Sequence, residues 1–258
     1  MADVIHTLDG DVATILLCNE RRHNAMSLGM WTKLAQTLEQ LRSDTAVRAV
    51  VVRGAGERAF VSGADISEFA SKRSDGAGVA AYDEAVARAL SGLSRFPRPI
   101  IAAISGICYG GGLGLALACD VRYGSPDATF RMPAARLGLG YSLQALKRMV
   151  QVLGVARASE LFYTARVCGA QEAARIGLVN SVHEDVFAQA AQTAAEIASN
   201  APMTVAAAKF AIATLLSGDE ATGSEAVDAA VRACFESSDY VEGRKAFAEK
   251  RSPRFTGR

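Results

Sequence analysis

The sequence predicts an α/β fold, a spiral of strand–helix units followed by a helical C-terminal region. Three observations lead to this prediction. Two short strands precede the first helix, short apolar runs then alternate with segments of helical spacing, and helical patterns dominate from about residue 142 onward. We expect an α/β core at residues 1–198 and a helical C-terminal part at residues 199–258.

The first strands and the first helix occupy the N-terminal part of the chain. Residues 5–18 form two segments around the turn-forming Asp9-Gly10-Asp11, which predicts a pair of strands. Ser27 is a suitable N-cap for a helix that reaches about residue 42, because apolar residues recur after it at helical spacing. Residues 48–53 (RAVVVR) are a short apolar run, which indicates a strand covered on both faces.

The middle of the chain alternates loops, helices and strands. A Gly- and Ala-rich loop is predicted from residue 54 to about residue 68, followed by a helix over residues 79–93 that two prolines end. Residues 100–104 (IIAAI) predict a second buried strand, and a helix opens from Gly110 onward.

Three further strands and a helical C-terminal part complete the prediction. Strands are expected at residues 121–123 and 128–131, on either side of a Ser-Pro-Asp turn, and at residues 178–182. Pro202 stands at a plausible helix start, since proline is favoured in the first helical turn.

Composition excludes several classes of protein. The 258 residues include 28 Lys+Arg and 27 Asp+Glu, so a net charge of +1 leaves no basic footprint for nucleic acid or a membrane surface. Half of the residues are hydrophobic, which excludes a disordered chain. The five cysteines are scattered without a CxxC pair, which indicates buried thiols of a reducing compartment and no metal site. With no secretory signal visible, we expect a cytoplasmic protein.

Two glycine-bearing loops are the candidates for chemistry, and each follows an apolar segment. The first covers residues 59–68 and the second begins at residue 101 and contains Gly110-Gly111-Gly112. Positions without side chains let backbone N–H groups approach a ligand closely, and two such loops could supply two donors to one oxygen, as in an oxyanion hole. For each loop taken singly, close packing of a helix on a strand explains the glycines equally well.

The common nucleotide and hydrolase motifs are absent. The sequence contains no GxxxxGK[ST], GxGxxG, GxSxG or HExxH pattern, and its three histidines lie outside the two loops. We therefore expect His6, His23 and His183 to be surface or structural residues rather than catalytic bases.

Five segments together resemble the crotonase superfamily, the enoyl-CoA hydratase/isomerase proteins. Residues 101–121 (IAAISGICYGGGLGLALACDV) resemble its signature position by position, and residues 60–68 resemble its first oxyanion loop. Residues 20–27 (ERRHNAMS), 169–182 and 246–255 match further family blocks in the same order. The resemblance covers essentially the whole chain.

The resemblance implies a crotonase-like spiral of ββα units with a C-terminal helical trimerisation region, forming homotrimers or hexamers. It implies an acyl-CoA thioester substrate whose carbonyl is held by the backbone N–H groups of Ala64 and Gly111. Coenzyme A is then part of the substrate, and no prosthetic group or metal is expected. The substrate-binding residues implied are Arg22, His23, Ala25, Ser62, Ala64, Asp65, Ile66, Gly110, Gly111 and, from an adjacent subunit, Lys250. Arg22 and Lys250 could equally be ordinary solvated charges.

The sequence departs from the family pattern at the two hydratase glutamates. The matching positions are Gly114 and Ala134, which cannot transfer protons, so efficient hydration by that mechanism should be lost. Tyr141 matches a tyrosine of methylmalonyl-CoA decarboxylase, to which the C-terminal segment is also similar.

These positions predict a lyase that stabilises a thioester enolate, such as a decarboxylase, with Tyr141 as proton donor. The alternatives are a conventional enoyl-CoA hydratase of fatty-acid or aromatic-acid degradation and an impaired acyl-CoA-binding protein. Tyr141 could also be a purely structural residue that packs its ring.

Overall fold

A computed structural model describes residues 2–65, 68, 76–218 and 220–258. Its strands are β1 (Asp3–Asp9), β2 (Val12–Cys18), β3 (Ala49–Gly54), β4 (Ala59–Val61), β5 (Ile100–Ile104), β6 (Ile107–Tyr109), β7 (Val121–Gly124), β8 (Thr129–Arg131), β9 (Cys168–Gly169) and β10 (Ser181–Val182). Its helices are α1 (Leu28–Ser43), α2 (Gly76–Ser94), α3 (Gly111–Ala118), α4 (Ala134–Leu137), α5 (Leu143–Thr164), α6 (Ala170–Arg175), α7 (Val186–Ser199), α8 (Pro202–Ser217), α9 (Glu220–Glu236) and α10 (Ser238–Glu249).

The strands form two sheets, and successive strand pairs divide between them. One sheet has the order β1-β2-β3-β5-β7-β10 and the other the order β4-β6-β8-β9. Each pair β3–β4, β5–β6 and β7–β8 therefore gives its first strand to the larger sheet and its second to the smaller one. Neighbours are parallel except β1–β2 and β8–β9. The α/β fold class predicted from the sequence is confirmed.

Local sequence signals place the N-terminal elements where they were predicted. β1 and β2 pair from Asp3 opposite Cys18 to Asp9 opposite Val12, and Gly10 takes a φ of 54° in the turn. The Ser27 side chain accepts a hydrogen bond from the Met30 N–H and caps α1. The strand expected at residues 48–53 is present as β3, and its prediction is confirmed.

Alternation along β3 explains why both of its faces are covered. Val50 and Val52 belong to the main core between the sheets and helices, whereas Ala49 and Val51 face a second cluster that includes α7 residues. The middle of this strand is thus apolar on both faces, as residues 48–53 indicated.

Three short strands were missed by the sequence prediction, and one of them is the two-residue β9 (Cys168–Gly169). β4 lies inside the segment predicted as a loop over residues 54–68, and β6 lies directly before the helix expected from Gly110. β4 and β6 are only three residues long, too short for alternation to be recognised, and they form by pairing with each other, while β6 also pairs with β8. The strand predicted over residues 178–182 was too long, because only β10 pairs there.

The C-terminal helices lie outside the main core. α8 begins with Pro202 in its first turn, as predicted, and none of its residues is buried. Lys209 of α8 donates to the Asp120 carboxylate at 2.6 Å and to the Arg98 carbonyl at 2.8 Å, which attaches the helix to the α/β part. No helix of the described part of the chain is long and apolar enough to cross a membrane.

Candidate functional site

The first glycine-bearing loop leaves β4 and is anchored to the start of α1. Gly63 has a φ of 119°, a conformation that favours glycine, and its carbonyl accepts the Met26 N–H at 2.8 Å. The Asp65 N–H donates to the Met26 carbonyl at 3.0 Å. Ala64 therefore forms an isolated parallel bridge with Met26. The hydrogen bonds of this bridge are made by Gly63 and Asp65, the residues on either side of Ala64. Within the described ranges the Ala64 N–H donates to no backbone carbonyl.

The second loop leaves β6 and turns directly into α3. Gly110 is the N-cap, with φ 52° and ψ −116°, and its N–H donates to the Arg131 carbonyl at 2.9 Å. Gly111 is the first residue of the helix, so its N–H has no acceptor within α3. The partial positive charge of the helix N-terminus adds to that of this N–H group.

Glycines let the two loops approach each other. A Cβ on Gly110 would lie 3.9 Å from the Cα of Gly63, and a Cβ on Gly63 would lie 3.5 Å from the Tyr109 carbonyl oxygen. A Cβ on Gly112 would lie 2.3 Å from the Val61 carbonyl oxygen, so only glycine allows α3 to pack this closely on β4. The structure thus brings together the loops that carry Ala64 and Gly111.

The segment around Arg22 lies against the first loop. The Ser62 N–H donates to the His23 carbonyl at 3.0 Å, and the Ser62 hydroxyl donates to the Arg22 carbonyl at 3.1 Å. Arg22 also forms an ion pair with Asp65 at 3.0 Å, although its own side chain is 53% exposed. Of the predicted binding residues, Arg22 and His23 therefore contact Ser62 and Asp65, which lie on either side of Ala64 in the first loop.

Asn24 is a positioning residue that the sequence reasoning missed. It is 1% exposed and has a φ of 54°. Its amide donates to the carbonyls of Ala55 (2.9 Å) and Ala59 (2.7 Å), and its Oδ1 accepts the Asn19 N–H at 2.9 Å. The only available signal was its place in the segment ERRHNAMS, beside residues expected to contact the substrate.

The positions of the expected glutamates lie on or next to the second loop. Gly114 follows Gly111 by one helical turn in α3, and a Cβ there would come no closer than 3.8 Å to Leu90. Ala134 is 1% exposed and begins α4, directly after Pro133, which lies 3.8 Å from the position of a Cβ on Gly110.

Tyr141 packs its ring against α5. It is half-buried against the main core, and its ring meets that of Phe162 edge-on at 5.4 Å between centroids.

For two predicted binding residues, Ile66 and Lys250, the described structure of a single chain shows no contact with the site. Ile66 lies outside the described residues. Lys250 is the C-cap of α10, with a φ of 52°, and none of its hydrogen bonds within the described ranges reaches either loop. Its expected contact from an adjacent subunit stays a prediction.

The buried thiol nearest the second loop is not a nucleophile. Cys108 is fully buried in β6, two residues before Gly110, and burial strongly raises the pKa of its thiol. Among the described residues, no group of three or more His, Cys, Asp and Glu side chains could hold a metal ion.

Comparison with known proteins gives consistent matches over the whole chain. A sequence model described as enoyl-CoA hydratase/isomerase matches residues 7–258. The short-chain-enoyl-CoA hydratase of Clostridium acetobutylicum is 34% identical over 252 residues, covering 96% of this chain and 95% of that protein. The mitochondrial methylglutaconyl-CoA hydratase of Mus musculus is 32% identical over 240 residues, covering 91% of this chain and 76% of that protein.

The fold is similar to that of solved structures, and the similarity extends over the whole chain. The crystal structure of an enoyl-CoA hydratase/carnithine racemase from Magnetospirillum magneticum superposes with a TM-score of 0.94 at 38% identity. The match covers 100% of this chain and 97% of that one.

Proposed function

Because the chain belongs to the enoyl-CoA hydratase/isomerase family, we propose that it acts on an acyl-CoA thioester whose enolate it stabilises with the N–H groups of Ala64 and Gly111. The observation that carries the proposal is the approach of two loops, each with one backbone N–H that donates to no carbonyl among the described residues. Two donors directed at one oxygen stabilise the negative charge that develops on it, and each typically contributes about 10²–10³ in rate.

The coenzyme part of the substrate would lie along the segment of Arg22 and the first loop. His23, Ala25, Ser62, Asp65 and Ile66 would line it there, and Gly110 would border the thioester. The Arg22–Asp65 ion pair supports this proposal. It holds the Arg22 side chain beside Asp65, the residue after Ala64, and leaves that side chain half exposed and accessible to a ligand.

We propose that Gly114 and Ala134 stand where hydratases carry their catalytic glutamates. General acid–base catalysis contributes about 10²–10⁴ in rate, so a reaction that needs no base is favoured here. In a decarboxylation, the bond between the α-carbon and the carboxylate breaks, its electron pair forms the enolate, and carbon dioxide leaves. A proton donor must then protonate the α-carbon, and Tyr141, which resembles the tyrosine of methylmalonyl-CoA decarboxylase, is our candidate.

Hydration of an enoyl-CoA is the second candidate, and the relatives favour it. The proteins from Clostridium acetobutylicum and Mus musculus are both described as hydratases and match more than nine-tenths of this chain. If the chain is a hydratase, its water is activated by groups other than residues 114 and 134.

We further propose a trimer, or a hexamer of paired trimers, built by the C-terminal part at residues 199–258. Its support is a set of large apolar side chains exposed on α8 and α9: Phe210 (43%), Ile212 (58%), Leu215 (64%) and Phe235 (61%). A neighbouring chain would then bring Lys250 to the coenzyme. Cytoplasmic location stays a prediction from the cysteine pattern.

The decisive experiment is mass spectrometry of the protein with enoyl-, malonyl-type and hydroxyacyl-CoA thioesters. Loss of carbon dioxide supports the first candidate, and gain of water supports the second. Binding without any turnover across the panel would refute both and indicate an acyl-CoA-binding protein. If activity is found, an unchanged rate in Tyr141→Phe would eliminate Tyr141 as the donor.

A matched pair of variants tests the oxyanion hole itself. Gly111→Pro removes the N–H, and proline is well tolerated at the first position of a helix. Gly111→Ala adds the same Cβ, 3.3 Å from the Trp31 ring, but keeps the N–H. We expect Gly111→Pro to be about 10² times less active than Gly111→Ala. Equal rates in the two variants would contradict the proposal.

A further inference from the structure

A chain of buried polar groups connects the two loops. The Trp31 indole N–H donates to the Tyr82 hydroxyl at 2.9 Å, and that hydroxyl donates to the Met26 carbonyl at 3.4 Å. Trp31 is 1% exposed and Tyr82 is 7% exposed. We propose that Trp31 and Tyr82 are positioning residues that fix the spacing of the Ala64 and Gly111 N–H donors. This inference rests on the proposed function.

One end of this chain is the anchor of the first loop. Met26 donates its N–H to the Gly63 carbonyl at 2.8 Å and accepts the Asp65 N–H at 3.0 Å. It therefore holds the residues on both sides of Ala64. Any shift of Met26 moves the Ala64 N–H with it.

The other end lies against the start of the second loop's helix. A Cβ on Gly111 would lie 3.3 Å from Cζ2 of Trp31, so the six-membered ring of the indole abuts the first residue of α3. The same side chain thus touches the region of one donor and, through Tyr82 and Met26, holds the region of the other.

The direction of the first hydrogen bond in this chain is fixed by chemistry. An indole N–H is a donor without acceptor capacity, so the Tyr82 hydroxyl accepts from it, and this hydroxyl lies within donating distance of the Met26 carbonyl. A phenylalanine at residue 82 would leave the buried indole N–H unpaired and would release Met26 from α2. Since a misplacement of about 1 Å can lower a rate by about 10², even a small shift of one donor would be measurable.

The test uses Tyr82→Phe and a matched control, Tyr123→Phe. The Tyr123 hydroxyl bonds to the Thr193 hydroxyl at 3.1 Å, but its ring packs in the second cluster, beside α7 and away from the loops. Tyr82→Phe loses the hydrogen bonds to Trp31 and Met26, and Tyr123→Phe loses the one to Thr193, so both melting temperatures should fall, but only Tyr82→Phe should affect the loops.

The readout is the infrared carbonyl stretch of bound crotonyl-CoA labelled with ¹³C at the thioester carbonyl. Donors to the oxygen lower this frequency, and we expect Tyr82→Phe to lose at least about half of the shift while the dissociation constant changes less than about twofold. For any substrate that turns over, kcat should fall about tenfold with KM unchanged. Tyr123→Phe should keep the wild-type shift and kcat.

The outcomes separate this inference from the proposed function. If the wild-type protein binds crotonyl-CoA without any carbonyl shift, the oxyanion hole is refuted, and the positioning role falls with it. If the wild type shows the shift and Tyr82→Phe retains all of it, only the positioning role is overturned. Should Tyr82→Phe fail to fold, Trp31→Phe, which removes the indole donor from the same chain, must reduce the shift; a full shift in that variant overturns the inference.

Discussion

Replacement of Asn24 by alanine should release the segment that holds the first loop. Asn24 is buried, donates to the carbonyls of Ala55, just after β3, and Ala59, the first residue of β4, and accepts a hydrogen bond from the backbone of Asn19. Its φ of 54° is in the left-handed region, which asparagine tolerates better than alanine does. Asn24→Ala therefore removes three hydrogen bonds and adds backbone strain.

The size of the effect follows from these contacts. Each hydrogen bond contributes about 1 kcal/mol net, and left-handed backbone costs a residue such as alanine about 1 kcal/mol. We therefore expect Asn24→Ala to lower the free energy of unfolding by about 4 kcal/mol, a large fraction of the stability of an ordinary domain. Asn24→Gly avoids the strain, so its loss should be about 3 kcal/mol.

Urea unfolding at a fixed protein concentration, followed by the fluorescence of the single tryptophan Trp31, measures this loss. His23→Ala is the matched control, because His23 is adjacent, has a φ of 52° and is exposed. Its cost should be about 1 kcal/mol, from the backbone alone. If Asn24→Ala were no more destabilising than His23→Ala, the anchoring role of the Asn24 side chain would be refuted.

Three further predictions concern packing, thiols and the C-terminus. Gly112→Ala would place a Cβ 2.3 Å from the Val61 carbonyl oxygen, so it should lower the free energy of unfolding by more than about 3 kcal/mol in the same urea assay. Gly114→Ala meets no such contact and replaces a helical glycine, so it should raise the free energy of unfolding by up to about 1 kcal/mol. Burial raises the pKa of the Cys119 thiol from 9.0 to about 12, so the folded state binds more protons between those values and the free energy of unfolding should fall as pH rises through that window. A slope that is the same in Cys119→Ala would contradict this. The Asp239 carboxylate accepts the N–H groups of Thr256 and Gly257 at 2.7 and 2.8 Å, so Asp239→Ala should speed tryptic cleavage after Arg254, detected by mass spectrometry; an unchanged rate would show that the tail is held by other contacts.

Elements with strong local signals were predictable, and the short ones were not. The cap at Ser27, the turn at Gly10 and the proline at the start of α8 each depend on chemistry within a few residues, so their positions could be found from the chain. β4 and β6 pair across more than forty residues, and three-residue strands carry no periodicity of their own. The positioning role of Asn24 was also missed because it depends on distant residues: its hydrogen-bond partners lie at residues 55 and 59.

The sequence by itself determined the α/β class, the two glycine-bearing loops and the absence of proton-transferring side chains at residues 114 and 134. These are properties of residue type and order, which no folding step alters. Only the tertiary structure decided that the loops meet, because their approach depends on β4 lying beside β6 and on Gly112 packing against Val61. Only it joined Trp31 and Met26 to Tyr82, because these hydrogen bonds exist only when α1 and α2 pack together.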